Sequence, residues 1–342
     1  MSWPFTPPIE TMEARVRETM PEPPGWAYEP KWDGFRAVSW SGAGSARLDS
    51  RNQRPLLRYF PELAGALGAL PPGTVVDGEV VVVRADVLSF DALQNRLHPA
   101  ASRVAKLAGE TPAQLIAFDL LADSGEDLRE RPFAERRERL SALAADLEPP
   151  WNLTPSTTDV AVANRWFVEF EAAGCDGIVA KRLDRPYVHG KREMAKIKHR
   201  RTVDCVVGGY RVHKDGTQIG SLLLGLYTPA GELSFVGHCS GFSGQDRTEM
   251  LRQFEQLAVD ESFGGEAVRV PGAESRWSAG KDLSWVPVRP GVVIEVSYDQ
   301  LTGGRFRHAT RFERWRPDKD AVQCALDQLE LPEGPGFATV VG

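Results

Sequence analysis

The sequence predicts an α+β protein of two domains, a mixed first domain followed by a smaller β-barrel. Two observations carry this. The 342 residues suit two domains of ordinary size. The pattern also changes near Arg201. Before it, β-branched runs alternate with helical stretches, whereas after it short strands follow one another through Gly-rich turns with a single helix. The expected domains are therefore 1–201 and 202–342.

The elements follow in order. Residues 1–25 are rich in Pro and Glu and are expected to form an irregular arm with one short helix. "AYEPKWDGFRAVSW" reads as strand, turn, strand, and "YFPELAGALGAL" as a helix stopped by Pro71-Pro72-Gly73. "TVVDGEVVVV" and "QLIAFDLLA" are strands. "RPFAERRERLSALAADL" and "DVAVANRWFVEFEAAG" carry apolar residues three and four apart and read as helices. "DGIVAKR" and "MAKIKHR" are short strands. Beyond Arg201, "TVDCVVGGYRV", "SLLLGLYT", "LSFVGHCSGF", "GVVIEVSYDQL" and "RFRHATRFERW" are five strands, with a helix near 245–258. Five strands and one helix fit a small Greek-key barrel of the OB type, with a six- or seven-strand sandwich as the alternative.

Composition excludes several classes. Apolar residues make up 42% and charged residues 26%, which is ordinary for a globular chain. The longest apolar runs are too short to span a bilayer, and the N-terminus lacks a basic region followed by an apolar core, so a cytoplasmic protein is expected. Cys175, Cys205, Cys239 and Cys324 form no CxxC pair and are expected as reduced thiols. Net charge is −6, yet Lys181–Arg201 holds nine Lys/Arg against two acids and Arg305–Lys319 six against two. Two basic stretches on an acidic chain suit a localised phosphate-binding track.

Several polar residues stand where apolar ones are expected. Lys31 lies between Pro30 and Trp32 with Asp33-Gly34 behind it, either as a salt-bridged surface lysine or as a functional one. Glu79 enters a run of valines; a DG hairpin turn would explain Asp77-Gly78 but not Glu79, since a buried carboxylate needs a partner, a metal or a hydroxyl. Asp119 and Asp176 repeat the puzzle. Lys196 and Lys198 alternate with Ile197, so both ammoniums point to one face of a strand. No P-loop and no Gly-x-Gly-x-x-Gly is present, so a nucleotide is not held in those ways.

The ordered set resembles the covalent nucleotidyltransferase superfamily. Its Lys-x-Asp-Gly-x-Arg motif is matched by Lys31, Asp33, Gly34 and Arg36, and its Ser-Arg-Asn motif by Ser50-Arg51-Asn52. Asp77-Gly78-Glu79, Phe118-Asp119, Asp176-Gly177-Ile178-Val179 with Lys181 after it, Lys196 with Lys198, and Arg314-Trp315-Arg316-Pro317-Asp318-Lys319 continue the series in order. A lone Lys-x-Asp-Gly is weak, but the ordered series is specific and spans nearly the whole chain. Including "FDALQNRLHPAASRVAKLA" and "GGRFRHATRFERWRPDK", the chain is most similar to the bacterial ATP-dependent DNA ligases of the ligase C type. The one departure is Asp176, where Glu is commoner.

The resemblance implies a nucleotidyltransferase (ATP-grasp-like adenylation) domain with antiparallel sheets, then an OB-fold barrel. It implies ATP and Mg²⁺ (or Mn²⁺) as cofactors and nicked double-stranded DNA as substrate. It also implies a monomer at the bacterial nucleoid and repair partners such as a primase-polymerase. Lys31 would attack the α-phosphorus of ATP, AMP would pass to the nick 5′-phosphate, and the 3′-hydroxyl would displace it. Phe118 would stack on adenine, the alternative being a core phenylalanine. Glu29 would lie beside the base edge, and Arg36 and Arg51 would reach ribose or phosphate. Glu79 would take a ribose hydroxyl or a metal, and Asp176 would bind Mg²⁺. Lys196, Lys198, Arg316 and Lys319 would bind phosphates, the last two as the barrel closes about a hinge near Arg200–Asp204. An ordinary lysine has a pKa of about 10.4, so roughly one in a thousand is neutral near pH 7.4. Apolar neighbours such as Trp32 and the charges of Lys196 and Lys198 are expected to lower it for Lys31.

Overall fold

Alternating apolar and polar residues become short strands throughout the computed structural model, which describes residues 3–264, 271–272 and 283–342. The chain forms two units, Met1–His199 with Leu331–Gly342, and Arg200–Glu330. In the first, the strands are β1 (Glu13–Arg17), β2 (Trp26–Pro30), β3 (Phe35–Gly42), β4 (Ser45–Ser50), β5 (Val75–Arg84), β6 (Val87–Leu88), β7 (Ala113–Asp123), β8 (Glu126–Asp127), β9 (Trp151–Leu153), β10 (Gly177–Arg182) and β11 (Arg192–Lys198). The helices are α1 (Leu63–Ala69), α2 (Phe90–Asn95), α3 (Ala101–Glu110), α4 (Phe133–Ala144) and α5 (Val160–Glu169).

Two sheets result. One runs β4-β3-β5-β7-β8 with β6 and β9 attached, the other β1-β11-β10-β2. Leu63, Leu67 and Leu70 at α1, Leu93 on α2 and Leu140 on α4 bury one face of the larger sheet against Val76, Val80, Val82 and Leu115. Ala163 of α5 packs with Ile178, Ala180 and Ala195 on one face of the smaller sheet. Residues 31–34, the turn between β2 and β3, connect the two sheets.

Segment 1–25 departs from expectation. Glu13–Arg17 is a strand, not a helix, and pairs in parallel with β11. It is an edge strand, where charged residues are favoured because they deter pairing with other chains. Asp77-Gly78 is no hairpin turn but the middle of β5. Asp77 is fully buried and accepts both Arg36 Nε (2.9 Å) and Arg36 Nη2 (2.6 Å), together with the Tyr187 hydroxyl (2.6 Å). Asp119 is likewise closed by Arg136, at 2.7 and 2.9 Å.

In the second unit β12 (Arg201–Val212), β13 (Ile219–Tyr227) and β14 (Leu233–Gly241) precede α6 (Arg247–Glu255). β15 (Val286–Pro287), β16 (Val293–Tyr298), β17 (Leu301–Thr302), β18 (Arg305–Phe306) and β19 (Thr310–Trp315) follow. The order β13-β14-β19-β16-β12 closes through the β12–β13 pairing, which makes a five-strand barrel and not a sandwich. The expected single strand over 305–315 is two, because Arg307 turns back so that its N–H donates to the Gln300 carbonyl at 2.9 Å.

The last dozen residues, expected within the second domain, pack on the first unit. Phe337 and Val340 of the final helix, α7 (Phe337–Val341), join Trp32, Val81 and Ile116 in one apolar cluster. Asp86 accepts the N–H groups of Phe337 through its carbonyl (2.6 Å) and of Ala338 through its carboxylate (2.8 Å). The four cysteines are buried free thiols. Among the described residues no helix is long and apolar enough to cross a membrane.

Candidate active site

The backbone itself brings Lys31 and Asp176 together. The Lys31 N–H donates to the Gly177 carbonyl and the Asp176 N–H to the Lys31 carbonyl, both at 2.8 Å. Gly177 has φ +136°, and a Cβ there would run into the Ile197 carbonyl oxygen, so the close entry of β10 against β11 requires glycine. Lys31 Nζ then lies 2.8 Å and Lys198 Nζ 3.2 Å from the same oxygen of Asp176, a residue 2% exposed. Beneath Lys31, Trp32 is buried and its indole N–H donates to Thr154 Oγ1 at 2.9 Å.

A pocket opens beside Lys31 between the two sheets. The smaller sheet contributes Glu29, Lys181 and Lys196, and the larger one Arg36, Glu79 and Phe118; Arg51 closes the rim. Phe118 is 9% exposed yet packs in none of the apolar clusters of the described residues. Its ring centroid lies 4.8 Å from the Arg36 guanidinium carbon and 4.7 Å from Lys181 Nζ. Glu29 is buried, with Oε2 at 2.8 Å from Lys181 Nζ, while Oε1 accepts no hydrogen bond among the described residues. Lys181 also donates to the Phe118 carbonyl at 2.7 Å. Arg51 pairs with Glu13 at 2.7 Å. Arg36 lines the pocket, but two of its nitrogens are committed to Asp77.

The electrostatics correct one expectation. Burial pulls the Lys31 pKa down, but Asp176, Glu79 and Asp33 outweigh it and hold the ammonium above its ordinary value. Trp32 and the neighbouring lysines do not prevail, because Asp176 is in direct contact. Lys196 is the lysine whose pKa falls, through burial and then the charges of Lys31, Lys198 and Arg51. Asp176 is lowered, since the two lysines overcome its burial. Glu79 is pushed up to about 8, chiefly by burial.

Glu79 makes a stability prediction. An unfolded Glu titrates near 4.3, so between roughly pH 4.5 and 8 the unfolded chain has released a proton that the folded chain keeps. Folding stability then falls as pH rises through that window. Glu79→Gln removes this contribution. In denaturant titrations from pH 5 to 8 the variant should gain on the wild type by up to about 1.4 kcal/mol per pH unit; a pH-independent difference would show that Glu79 ionises normally.

For a metal, the described residues of the site offer single carboxylates. Asp176 Oδ1 is buried and accepts no hydrogen bond among the described residues. No group of three His, Cys, Asp or Glu among them could enclose an ion. Mg²⁺ suits such a place, since it keeps waters and takes one or two carboxylates alongside substrate phosphates.

Not every expected residue meets here. Arg316 and Lys319 belong to the second unit, where both hold Asp204, Arg316 at 2.8 Å to each oxygen and Lys319 at 2.7 Å. The basic run 181–201 is not one track. Val179 and Lys181 face the pocket, so Arg182 points to the other side of β10. Lys181 and Arg137 flank Glu29 at 2.8 and 3.8 Å; Lys181 was expected only as the end of a motif and the start of a phosphate track, and Arg137 not at all. Strand alternation from Val179 was the signal for Lys181; Arg137, on a helix far along the chain, left none.

A lysine at the mouth of a cleft between two mainly antiparallel sheets, each with one parallel pairing (β1–β11 and β7–β9), in a chain that continues into a five-strand barrel, is the arrangement of a nucleotidyltransferase. The match to known families is narrower. A model described as ATP dependent DNA ligase domain matches residues 9–198, and one described as ATP dependent DNA ligase C terminal region matches residues 215–319. The chain belongs to the ATP-dependent DNA ligase family. It is 49% identical to DNA ligase C2 of Mycolicibacterium smegmatis over 345 residues, covering 97% of each chain. It is 32% identical over 305 residues to the multifunctional non-homologous end joining DNA repair protein LigD of Mycobacterium tuberculosis, covering 86% of this chain and 36% of that one. Among solved structures, one from a structure-function study of Lig E DNA ligases has a TM-score of 0.55 at 18% identity, covering 90% of this chain and all of the other, a likeness of fold.

Proposed function

We propose that the enzyme seals nicks in duplex DNA through a lysyl-AMP at Lys31. The observation that carries this is the amine of Lys31, held at 2.8 Å by Asp176 on the rim of a pocket walled by Phe118 and Glu29. The Lys31 nitrogen forms a bond to the α-phosphorus of ATP, the α–β anhydride bond breaks and pyrophosphate leaves. AMP then moves to the 5′-phosphate of the nick, and the 3′-hydroxyl displaces it. Lys31 must lose a proton to attack, and its tight pairing with Asp176 favours the ammonium. Mg²⁺, when bound at Asp176, supplies a charge that competes with Lys31 for the carboxylate and offsets the α-phosphate charge.

Adenine lies against Phe118, and Glu29 Oε1, which accepts no hydrogen bond among the described residues and has Arg137 Nη1 at 3.8 Å, accepts from its amino group. Glu79 offers the ribose a carboxyl that is substantially protonated near neutrality. Arg36, Arg51, Lys196 and Lys198 bind phosphates. The enzyme acts as a monomer on nicked DNA in the bacterial cytoplasm, at the nucleoid, and serves repair beside factors such as a primase-polymerase; the end-joining name of the LigD relative supports the repair setting.

Labelled ATP with Mg²⁺ should give an acid-labile, alkali-stable adduct at Lys31, and nicked duplex DNA should discharge it into a joined strand. Labelling by GTP instead, or no adduct, overturns the reading. Phe118→Ala tests the base contact. A lost stacking platform weakens ATP use by about 1–3 kcal/mol, or roughly 5- to 150-fold. The melting temperature should fall far less than ATP use does, because the ring belongs to no apolar cluster of the described residues. A variant that unfolds readily while its folded fraction uses ATP normally would make Phe118 a core residue.

A further inference from the structure

A second basic cluster lies apart from the Lys31 pocket. Arg15 and Arg17 of β1, Arg182 of β10, Arg185 and Arg192 line one depression around Trp26. Glu193 is the carboxylate in its wall, and Met194 is the residue shared with the Lys31 pocket. Arg15, Arg17, Arg185 and Arg192 are exposed. The guanidinium carbons of Arg17 and Arg182 lie 5.9 and 5.4 Å from the Trp26 ring centroid. Arg182 pairs with Asp184 at 3.0 Å, and Arg15 Nε donates to the Arg192 carbonyl at 2.9 Å. Among the described residues no carboxylate forms an ion pair with Arg17, Arg185 or Arg192.

Deterrence of edge pairing explains arginines on β1, the outer strand. It does not explain Arg182 on an inner strand, or Arg185 and Arg192 beyond β1. Guanidiniums gathered with so little neutralising charge repel one another, and that arrangement is stabilised by an anion of high charge density. Planar guanidinium forks match phosphate oxygens two at a time.

We propose that this cluster is a second phosphate-binding surface, for the phosphodiester backbone of DNA away from the nick. It rests on the reading of DNA as substrate. Binding at this surface would raise the residence of the enzyme on intact duplex flanking a break without touching the reacting atoms.

The test is the triple variant Arg17→Ala, Arg185→Ala, Arg192→Ala in the full chain. Lysyl-AMP formation, which needs no DNA, should equal that of the wild type and certifies the fold. Binding to an intact duplex, followed from 50 to 200 mM salt, should weaken, and the slope of log K against log salt should flatten by about 0.9 for each phosphate that the variant no longer neutralises. Unchanged affinity and slope would overturn the proposal. So would loss of poly-glutamate binding with duplex binding intact, which would assign the cluster to an acidic polypeptide. Failure here leaves the wild-type lysyl-AMP and nick-sealing results untouched, so the active-site reading is judged separately.

Discussion

Lys31→Ala is expected to reduce lysyl-AMP formation and joining of an ordinary nick below detection, while a nick that already carries AMP is still sealed. The reason is chemical: the amine forms the phosphorus bond in the first step only. Charge alone cannot replace it, and Lys31→Arg separates the two. A guanidinium keeps the positive charge beside Asp176, but it is not deprotonated in proteins and cannot attack. Both variants should therefore fail in the first step, and the arginine variant should retain more of the thermal stability, since it still neutralises a carboxylate that is 2% exposed. The measurements are transfer of label from ATP, closure of a pre-adenylylated nick, and a melting curve on each preparation. Robust joining of an ordinary nick by either variant would remove Lys31 from the chemistry.

What the sequence reveals here depends on distance along the chain. Lys31, Asp33, Gly34 and Arg36 fall within one turn and the strand after it, so their pattern is readable directly. The alternation of Lys196 and Lys198 is equally local, and Lys198 does meet Asp176. The closures of Asp77 are not local, because Arg36 and Tyr187 come from 41 and 110 residues away. The expectation that Arg36 reaches ribose or phosphate therefore left out its second duty, the two nitrogens it commits to Asp77. The Lys31 pKa failed for the same reason: its immediate neighbours are apolar, but the group that decides it, Asp176, is brought in by the fold. The return of Phe337 and Val340 to Trp32 had no sequence signal, since a short apolar segment at a chain end fits any nearby core. The basic run reads as one track only when charge is counted along the chain; a strand sends successive side chains to opposite faces, so its members divide between the Lys31 pocket and the depression around Trp26.

Arg316→Ala and Lys319→Ala are expected to slow lysyl-AMP formation by on the order of 10²-fold or more, while sealing of a pre-adenylylated nick is much better preserved. Only the first step expels pyrophosphate, and cations that orient the β- and γ-phosphates serve only that step. In the second unit both side chains are held by Asp204, which is 9% exposed. Two roles are thus open to this triad, ligand for phosphate or brace for the barrel, and they differ in what Asp204→Asn does. If the cations act on ATP, the carboxylate competes with phosphate for them. Weakening it should then leave lysyl-AMP formation largely intact even as the barrel loses stability. If the triad is a brace, Asp204→Asn and Arg316→Ala should lower the melting temperature and both reaction steps together, because both changes break the Arg316–Asp204 pair. The first-step rate, the closure of a pre-adenylylated nick and the melting temperature, taken on all three variants, decide between them. Equal losses in both steps would assign Arg316 and Lys319 to the stability of the barrel.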